Sequence, residues 1–225
     1  MENIEIRTIS MLSAEERRTN FSHLMLEHKL NFFFTDAING KELSAKDYFP
    51  LSKNPNYFFN RKHIITPSEV GCRLSHKNAI SDFIMNSQKE WLVVFEDDIK
   101  FDNNLVSFLE KIYKMTLSDE VIIHLGGQDG LSSYNRLFFK KNEFINNFKI
   151  DTVRTFCLRW LYRTCGYIVN RNAAKKLLQV HNTNTFVADD WSYIRKKTNI
   201  KNIYFINLVT HPIDLSSSSI EAERT

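Results

Sequence analysis

The run Trp91-Leu92-Val93-Val94-Phe95 carries no charge, consists of large or β-branched residues, and stops at three consecutive carboxylates, Glu96-Asp97-Asp98. A short run of this kind reads as a strand buried on both faces, the signature of a sheet covered by helices on each side. Open α/β sheets bind their ligands at the carboxyl ends of such strands. Three neighbouring acids repel one another, so they are either fully solvated or gathered round something positive, most simply a divalent cation.

The surrounding pattern alternates. Ile4 and Ile6 begin a strand, and Ser13 with Glu16 has the S-x-x-E spacing of a capping box opening a helix with Phe21, Leu24, Met25 and His28 on one face. Phe32-Phe33-Phe34 reads as a second short buried strand, with Asn39-Gly40 as the turn after it. Residues 41–66 show no period and read as an irregular excursion that could cover a ligand. Thr66-Pro67-Ser68-Glu69 is a second capping box with Pro at the first helical position, and its helix buries Val70, Leu74, Phe83 and Ile84.

Beyond the acids, Leu105, Phe108, Leu109 and Ile112 have helical spacing, and Val121 to Leu125 is a buried strand stopping at Gly126-Gly127. Leu137 to Phe139 and Val153 to Leu158 read as strands of an antiparallel or edge region. Gly166 to Val169 is a strand leading into a helix with Ala174, Leu177 and Leu178. A short helix from Trp191 to Lys197 precedes a last strand, Ile203 to Val209, and Ser216 to Ser219 reads as a flexible tail. The fold class expected is α/β, a mainly parallel sheet with helices on both faces, formed by residues 1–225 as one domain.

Bulk properties exclude several classes. A formal charge of +4 is far from the balance of a dedicated nucleic-acid binder, so no nucleic-acid partner is expected. The three cysteines, Cys72, Cys157 and Cys165, have no C-x-x-C spacing, which argues against a disulfide framework or a zinc knuckle. Neither a signal peptide nor an apolar run of membrane-spanning length is visible, and a cytosolic protein able to rest on the inner face of a membrane is expected. Without a glycine-rich phosphate cradle, kinase, NTPase and NAD chemistry is disfavoured.

Asp97 and Asp98, with Glu96 beside them, form an all-oxygen set suited to Mg²⁺ or Mn²⁺. Such an ion could hold a diphosphate and neutralise charge as a bond to it breaks. His211, after the last strand, reads either as a nitrogen ligand at the same sheet edge or as a solvated loop histidine. Asp189-Asp190 reads as a helix cap or as a general base. Ser75 and His76 are adjacent on a helix and point apart, so they are a poor nucleophile and base pair. The basic residues concentrated between Arg159 and Lys201 read as solvated helix faces, a few of which could meet anionic lipid.

Several blocks, taken in order, resemble a known family. They are Ser13-Ala14-Glu15-Glu16-Arg17-Arg18, Phe33-Phe34-Thr35-Asp36-Ala37, Glu69-Val70-Gly71-Cys72-Arg73-Leu74-Ser75-His76, Val94-Phe95-Glu96-Asp97-Asp98, Thr164-Cys165-Gly166-Tyr167-Ile168-Val169 and Asp190. Together they are similar to glycosyltransferase family 25, the bacterial lipooligosaccharide galactosyltransferases and their relatives. The resemblance implies a GT-A type fold, with a donor-binding part over about residues 1–130 and an acceptor and catalytic part over about 131–215. It implies inverting transfer of a hexose, usually galactose from UDP-galactose, to an oligosaccharide on a lipid A-core, with Mn²⁺ or Mg²⁺ as cofactor. Carried onto this chain, it makes Arg17, Asp36, Ala37, Glu96, Asp97, Gly166 and Tyr167 donor-site residues, and Ser75 and His76 donor-pocket or scaffold residues. It makes Asp98 the best metal ligand, with Glu96 or Asp97 nearer the ribose and the ion, and Asp190 the base; His211 joins Asp98 and Asp97 in the metal set by its place after the last strand.

Overall fold

In the computed structural model, residues 2–53, 64–114, 119–145, 147–213, 220 and 223 are described. Nine strands form one sheet: β1 (Ile4–Ser10), β2 (Phe33–Asp36), β3 (Trp91–Glu96), β4 (Lys100–Phe101), β5 (Ile122–Gly126), β6 (Phe139–Ile145), β7 (Phe148–Val153), β8 (Gly166–Asn170) and β9 (Tyr204–Thr210). Their order is β2-β1-β3-β8-β5-β9-β7-β6, and β4 pairs with β9. Parallel pairing joins β1 to β2 and β3, and β5 to β9; β8 runs against both its neighbours. Five of the six strands from β2 to β9 therefore point the same way, and their carboxyl ends share one edge.

The described helices are α1 (Glu15–Glu27), α2 (Ala45–Ser52), α3 (Pro67–Asn86), α4 (Asn103–Leu109), α5 (Arg171–Thr183) and α6 (Trp191–Thr198). Successive side chains of β3 alternate between the two faces, as a pleated strand requires. Leu92 and Val94 pack with Ile80 and Phe83 of α3, Leu177 of α5 and Ile194 of α6. Trp91, Val93 and Phe95 join Phe21 and Met25 of α1 and Phe108 of α4 in the opposite core. The five apolar residues of β3 are buried, each worth about 1.5–3 kcal/mol relative to exposure. The double-faced burial read from the sequence follows directly.

Register levels the functional edge. Ser10 pairs with Asp36 and Ile9 with Glu96, while reversed β8 starts there by pairing Gly166 with Phe95. The α3 cap forms as its sequence predicts: Thr66 Oγ1 accepts from the Glu69 backbone, and Glu69 Oε2 accepts from Thr66 N at 2.9 Å.

Several local expectations are corrected. Helix α1 begins after Ala14 with no side-chain cap, so Ser13 and Glu16 form no capping box. Strand β2 lies at the sheet's edge, which leaves Phe33 60% exposed rather than buried. Within 41–66 lies helix α2, capped by Ser44, although residues 54–63 of that region fall outside the described set. The expected strand at 137–139 begins instead at Phe139. Residues 155–160 form a 3₁₀ turn after β7, because Arg154 O accepts from Cys157 N. The tail at Ser216 to Ser219 also lies outside the described residues.

Candidate active site

The common edge of the strands opens into a cleft of about 520 Å³, walled by the ends of β1, β2 and β3, the first turns of α1 and α3, and His211 after β9. That volume lies within the range of small-molecule sites. Close backbone packing sets the wall beside β2. A Cβ on Gly71 of α3 would stand 2.5 Å from Ile38 O, and one on Gly40 would stand 1.7 Å from Pro67 O. Only paired glycines let the 37–41 loop rest against the helix.

The three acids turn in different directions. Glu96 Oε1 accepts from Thr164 Oγ1 at 2.8 Å and faces His76 Nε2 at 3.4 Å. Burial pushes its carboxyl up, but the hydrogen bond and charge of His76, then Thr164 and His211, outweigh this and hold it below the ordinary value. Asp97 Oδ2 accepts from Ser10 Oγ at 2.5 Å, and its Oδ1 lies 3.2 Å from the Arg17 guanidinium. Burial nevertheless raises the Asp97 carboxyl.

Asp98 is the least satisfied of the three. Its Oδ2 lies 3.5 Å from His211 Nε2, while Oδ1 is buried without a hydrogen-bond partner. Burial first, and the Glu96 charge second, raise its carboxyl, with His211 acting in the opposite sense. A buried, unpaired carboxylate oxygen is costly unless a cation meets it.

Ligating atoms of Glu96, Asp98 and His211 lie within 4.8 Å of one another. His211 Nδ1 donates to Pro212 O at 2.8 Å, which orients the ring so that Nε2 faces Asp98. Its backbone N–H is held by Asp129 Oδ2 at 3.2 Å. Two carboxylates and one imidazole suit Mn²⁺, with Mg²⁺ the harder alternative. Asp97, expected among the ligands, instead serves Ser10 and Arg17.

Other expected donor residues divide sharply. Arg17, Ala37, Ser75, His76, Glu96 and Asp97 line the cleft. Ser75 is also scaffold: its hydroxyl donates to Gly71 O and accepts from Ile38 N. Asp36 does not line the cleft, and its carboxylate pairs with Arg18 at 2.9 Å. Gly166 is packed under Val209, Leu125 and Phe95, so its lack of a side chain serves the core rather than a ligand. Tyr167 is 2% exposed; its hydroxyl meets His76 Nδ1 at 3.1 Å, and the ring does not face a sugar.

Asp190 is the N-cap of α6, accepting from Tyr193 N at 2.9 Å, and does not line the cleft. Asp189 accepts from Arg163 N at 3.1 Å, and its charge reaches the Cys72 thiol in the cleft wall. Arg163, in the left-handed region at φ 66°, ties this corner together by donating to Gly127 O at 2.6 Å and accepting from Trp191 Nε1 at 3.0 Å. Sequence reasoning missed Ser10, Thr164 and Cys72. Of these only Cys72 carried a readable signal, one helical turn before His76.

Residues 3–192 match the sequence model of glycosyltransferase family 25, described as an LPS biosynthesis protein. A Haemophilus influenzae protein named as a glycosyltransferase is 25% identical over 233 residues, covering 96% of this chain and 75% of its own length. Mouse procollagen galactosyltransferase 2 is 25% identical over 77% of this chain. The mouse inactive glycosyltransferase 25 family member 3 is 27% identical over 54%. This chain spans only 27% and 22% of the lengths of those two mouse relatives. A glycosyltransferase involved in glycosylating the major capsid of PBCV-1 superposes with a TM-score of 0.44 at 10% identity, covering 97% of this chain and 98% of that one.

Sheet, edge cleft and sequence match together define an α/β glycosyltransferase. The chain belongs to glycosyltransferase family 25.

Proposed function

We propose that the protein transfers galactose from UDP-galactose, with inversion and with Mn²⁺ bound, to a hydroxyl of a lipopolysaccharide oligosaccharide. The observation that carries this reading is the convergence of Glu96, Asp98 and His211 on one point of the cleft, with Asp98 Oδ1 left unpartnered. A bound divalent ion there would act as a Lewis acid toward the diphosphate leaving group. Galactose is supported by the similarity to procollagen galactosyltransferase 2, and the acceptor class by the family's association with LPS biosynthesis.

The chain's own residues have distinct work. Arg17 and Lys41, both on the cleft wall, supply positive charge to an anionic donor. Ser10 and Arg17 hold Asp97, keeping the turn after β3 in place. His76 and Thr164 hold Glu96 ionised at the floor of the cleft. Deprotonation of the acceptor hydroxyl falls to the Asp189-Asp190 pair. Asp190 Oδ1 caps α6 and Asp189 Oδ2 accepts from Arg163 N, and neither lines the cleft itself; the base on this reading is Asp189, whose charge bears on the Cys72 thiol in the cleft wall.

Among the described residues no helix is long and apolar enough to cross a membrane. Peripheral contact with a membrane carrying a lipid A-core acceptor is favoured by the net charge of +4. UDP release from UDP-galactose with an oligosaccharide acceptor tests the proposal. Release should require Mn²⁺ and disappear in Asp98→Ala; preference for UDP-glucose or a UDP-N-acetylhexosamine would reassign the donor. The inactive mouse relative favours a second reading, a UDP-sugar binder without turnover, which UDP binding with no donor consumed would establish.

A further inference from the structure

A second cluster lies in the wall of the same cleft. Cys72 and His76 are four residues apart on α3, which places them one above the other on one helix face. Glu96 comes to meet them from the end of β3. Ligating atoms of Cys72, His76 and Glu96 lie within 4.8 Å of one another, with His76 Nε2 and Glu96 Oε1 at 3.4 Å. Bonds of 2.0–2.3 Å to a tetrahedral Zn²⁺ place donor atoms roughly 3.3–3.6 Å apart, so this pair already has the required separation.

Donor chemistry separates this cluster from its neighbour. A thiolate with an imidazole and one carboxylate selects a thiophilic ion such as Zn²⁺ over Mg²⁺ or Mn²⁺. His76 is pre-set for the task, because its other ring nitrogen is held by the Tyr167 hydroxyl at 3.1 Å, leaving Nε2 directed at the cluster. Thr164 donates to Glu96 Oε1 and steadies the carboxylate. All three ligands line the cleft, so a fourth position is open to water or to a bound molecule.

We propose that Cys72, His76 and Glu96 form a Zn²⁺ site, and that zinc bound there inhibits transfer by withdrawing Glu96 from Asp98 and His211. On binding, the Cys72 S–H bond breaks and His76 gives up the Nε2 proton that faces Glu96; both protons pass to solvent as the Sγ–Zn and Nε2–Zn bonds form, with no change of oxidation state. Glu96 is the hinge of the proposal because it belongs to both clusters. The site itself stands on geometry; its inhibitory effect rests on the transferase reading above.

Co²⁺ is the spectroscopic probe for the site. The wild-type chain should give a thiolate-to-cobalt charge-transfer band in the near ultraviolet, displaced by Zn²⁺, with at least tenfold weaker binding in Cys72→Ser. Asp98→Asn should retain the band. Absence of the band in the wild type, or equal Zn²⁺ affinity in Cys72→Ser of unchanged circular dichroism, would overturn the site. With a working transfer assay, micromolar Zn²⁺ should inhibit the wild type at least tenfold more strongly than Cys72→Ser; equal inhibition would overturn the Glu96 coupling while leaving the band to report on the site. A chain that never turns over removes the transfer assay alone, so failure of the proposed function is told apart from failure of the zinc site.

Discussion

Asp98 Oδ2 stands 3.5 Å from His211 Nε2, although 113 residues separate the two in sequence, and the other Asp98 oxygen is buried without a partner. The pair is half of an ion pair and half of an unsatisfied site. A group held in that condition by the surrounding fold lowers stability in exchange for a ligand.

Asp98→Asn should therefore make the metal-free protein more stable, by about 0.5–2 kcal/mol, since it removes a buried charge beside Glu96. Transfer should fall at least about 100-fold, because changes one shell further out already cost 10–100-fold. Urea unfolding and UDP release on the same preparation check both halves. Lower stability with activity retained would remove Asp98 from the site.

Stability should also depend on pH in a defined direction. Asp97 and Asp98 carry raised carboxyls, so between the ordinary value of 3.8 and their native values the folded chain holds protons that the unfolded chain has released. The unfolding free energy contributed by these groups then falls as pH rises through that window. Glu96 acts oppositely: its depressed carboxyl contributes stability above its ordinary 4.5, lost as pH drops through the native value. Without divalent ions, Asp98→Asn should therefore flatten the fall above pH 4, as urea midpoints at half-unit steps would register. Mn²⁺ binding should strengthen with rising pH, because the ligand must be deprotonated.

The two acids before α6 should separate cleanly. Asp190→Ala removes the α6 cap and should cost about 1 kcal/mol, whereas Asp190→Asn keeps a capping oxygen and should stay within a few tenths. Asp189→Asn should lower transfer by roughly 10²–10⁴-fold with KM for the donor little changed. If Asp190→Asn, still fully folded, is the inactive variant instead, the base is Asp190 as the sequence resemblance implied.

Gly71→Ala should be far more damaging than an ordinary helix substitution, which alanine normally favours. Its methyl group would meet Ile38 O at 2.5 Å and Gly40 N at 2.6 Å, both backbone atoms. We expect a loss of about 1–3 kcal/mol or more and a rise in donor KM, because the displaced 37–41 loop carries Lys41. Thermal unfolding with and without UDP measures both effects.

Much of the architecture was legible in local pattern. The uncharged run from Trp91 to Phe95 required burial on both faces, Thr66 and Glu69 could satisfy each other's backbone groups within one turn, and the acids at 96–98 marked the end of their strand, where the cleft lies. Each of these depends on neighbours within a few residues. Ser13 with Glu16 had the same spacing as Thr66 with Glu69 but forms no box, since the cap depends on backbone geometry at the helix entry as well as on residue type.

Partnerships across the fold were decided by tertiary structure alone. Reversed strand β8, inserted between β3 and β5, brings Thr164 to Glu96 and buries Gly166 and Tyr167, which sequence resemblance had turned toward a ligand. Long-range pairing likewise sends Asp97 to Ser10 and Arg17, Asp98 to His211, and Asp36 to Arg18. The physical reason is that a carboxylate's role depends on which charges and donors lie within a few ångströms. Hydrophobic periodicity specifies faces, while sheet order and register specify those neighbours.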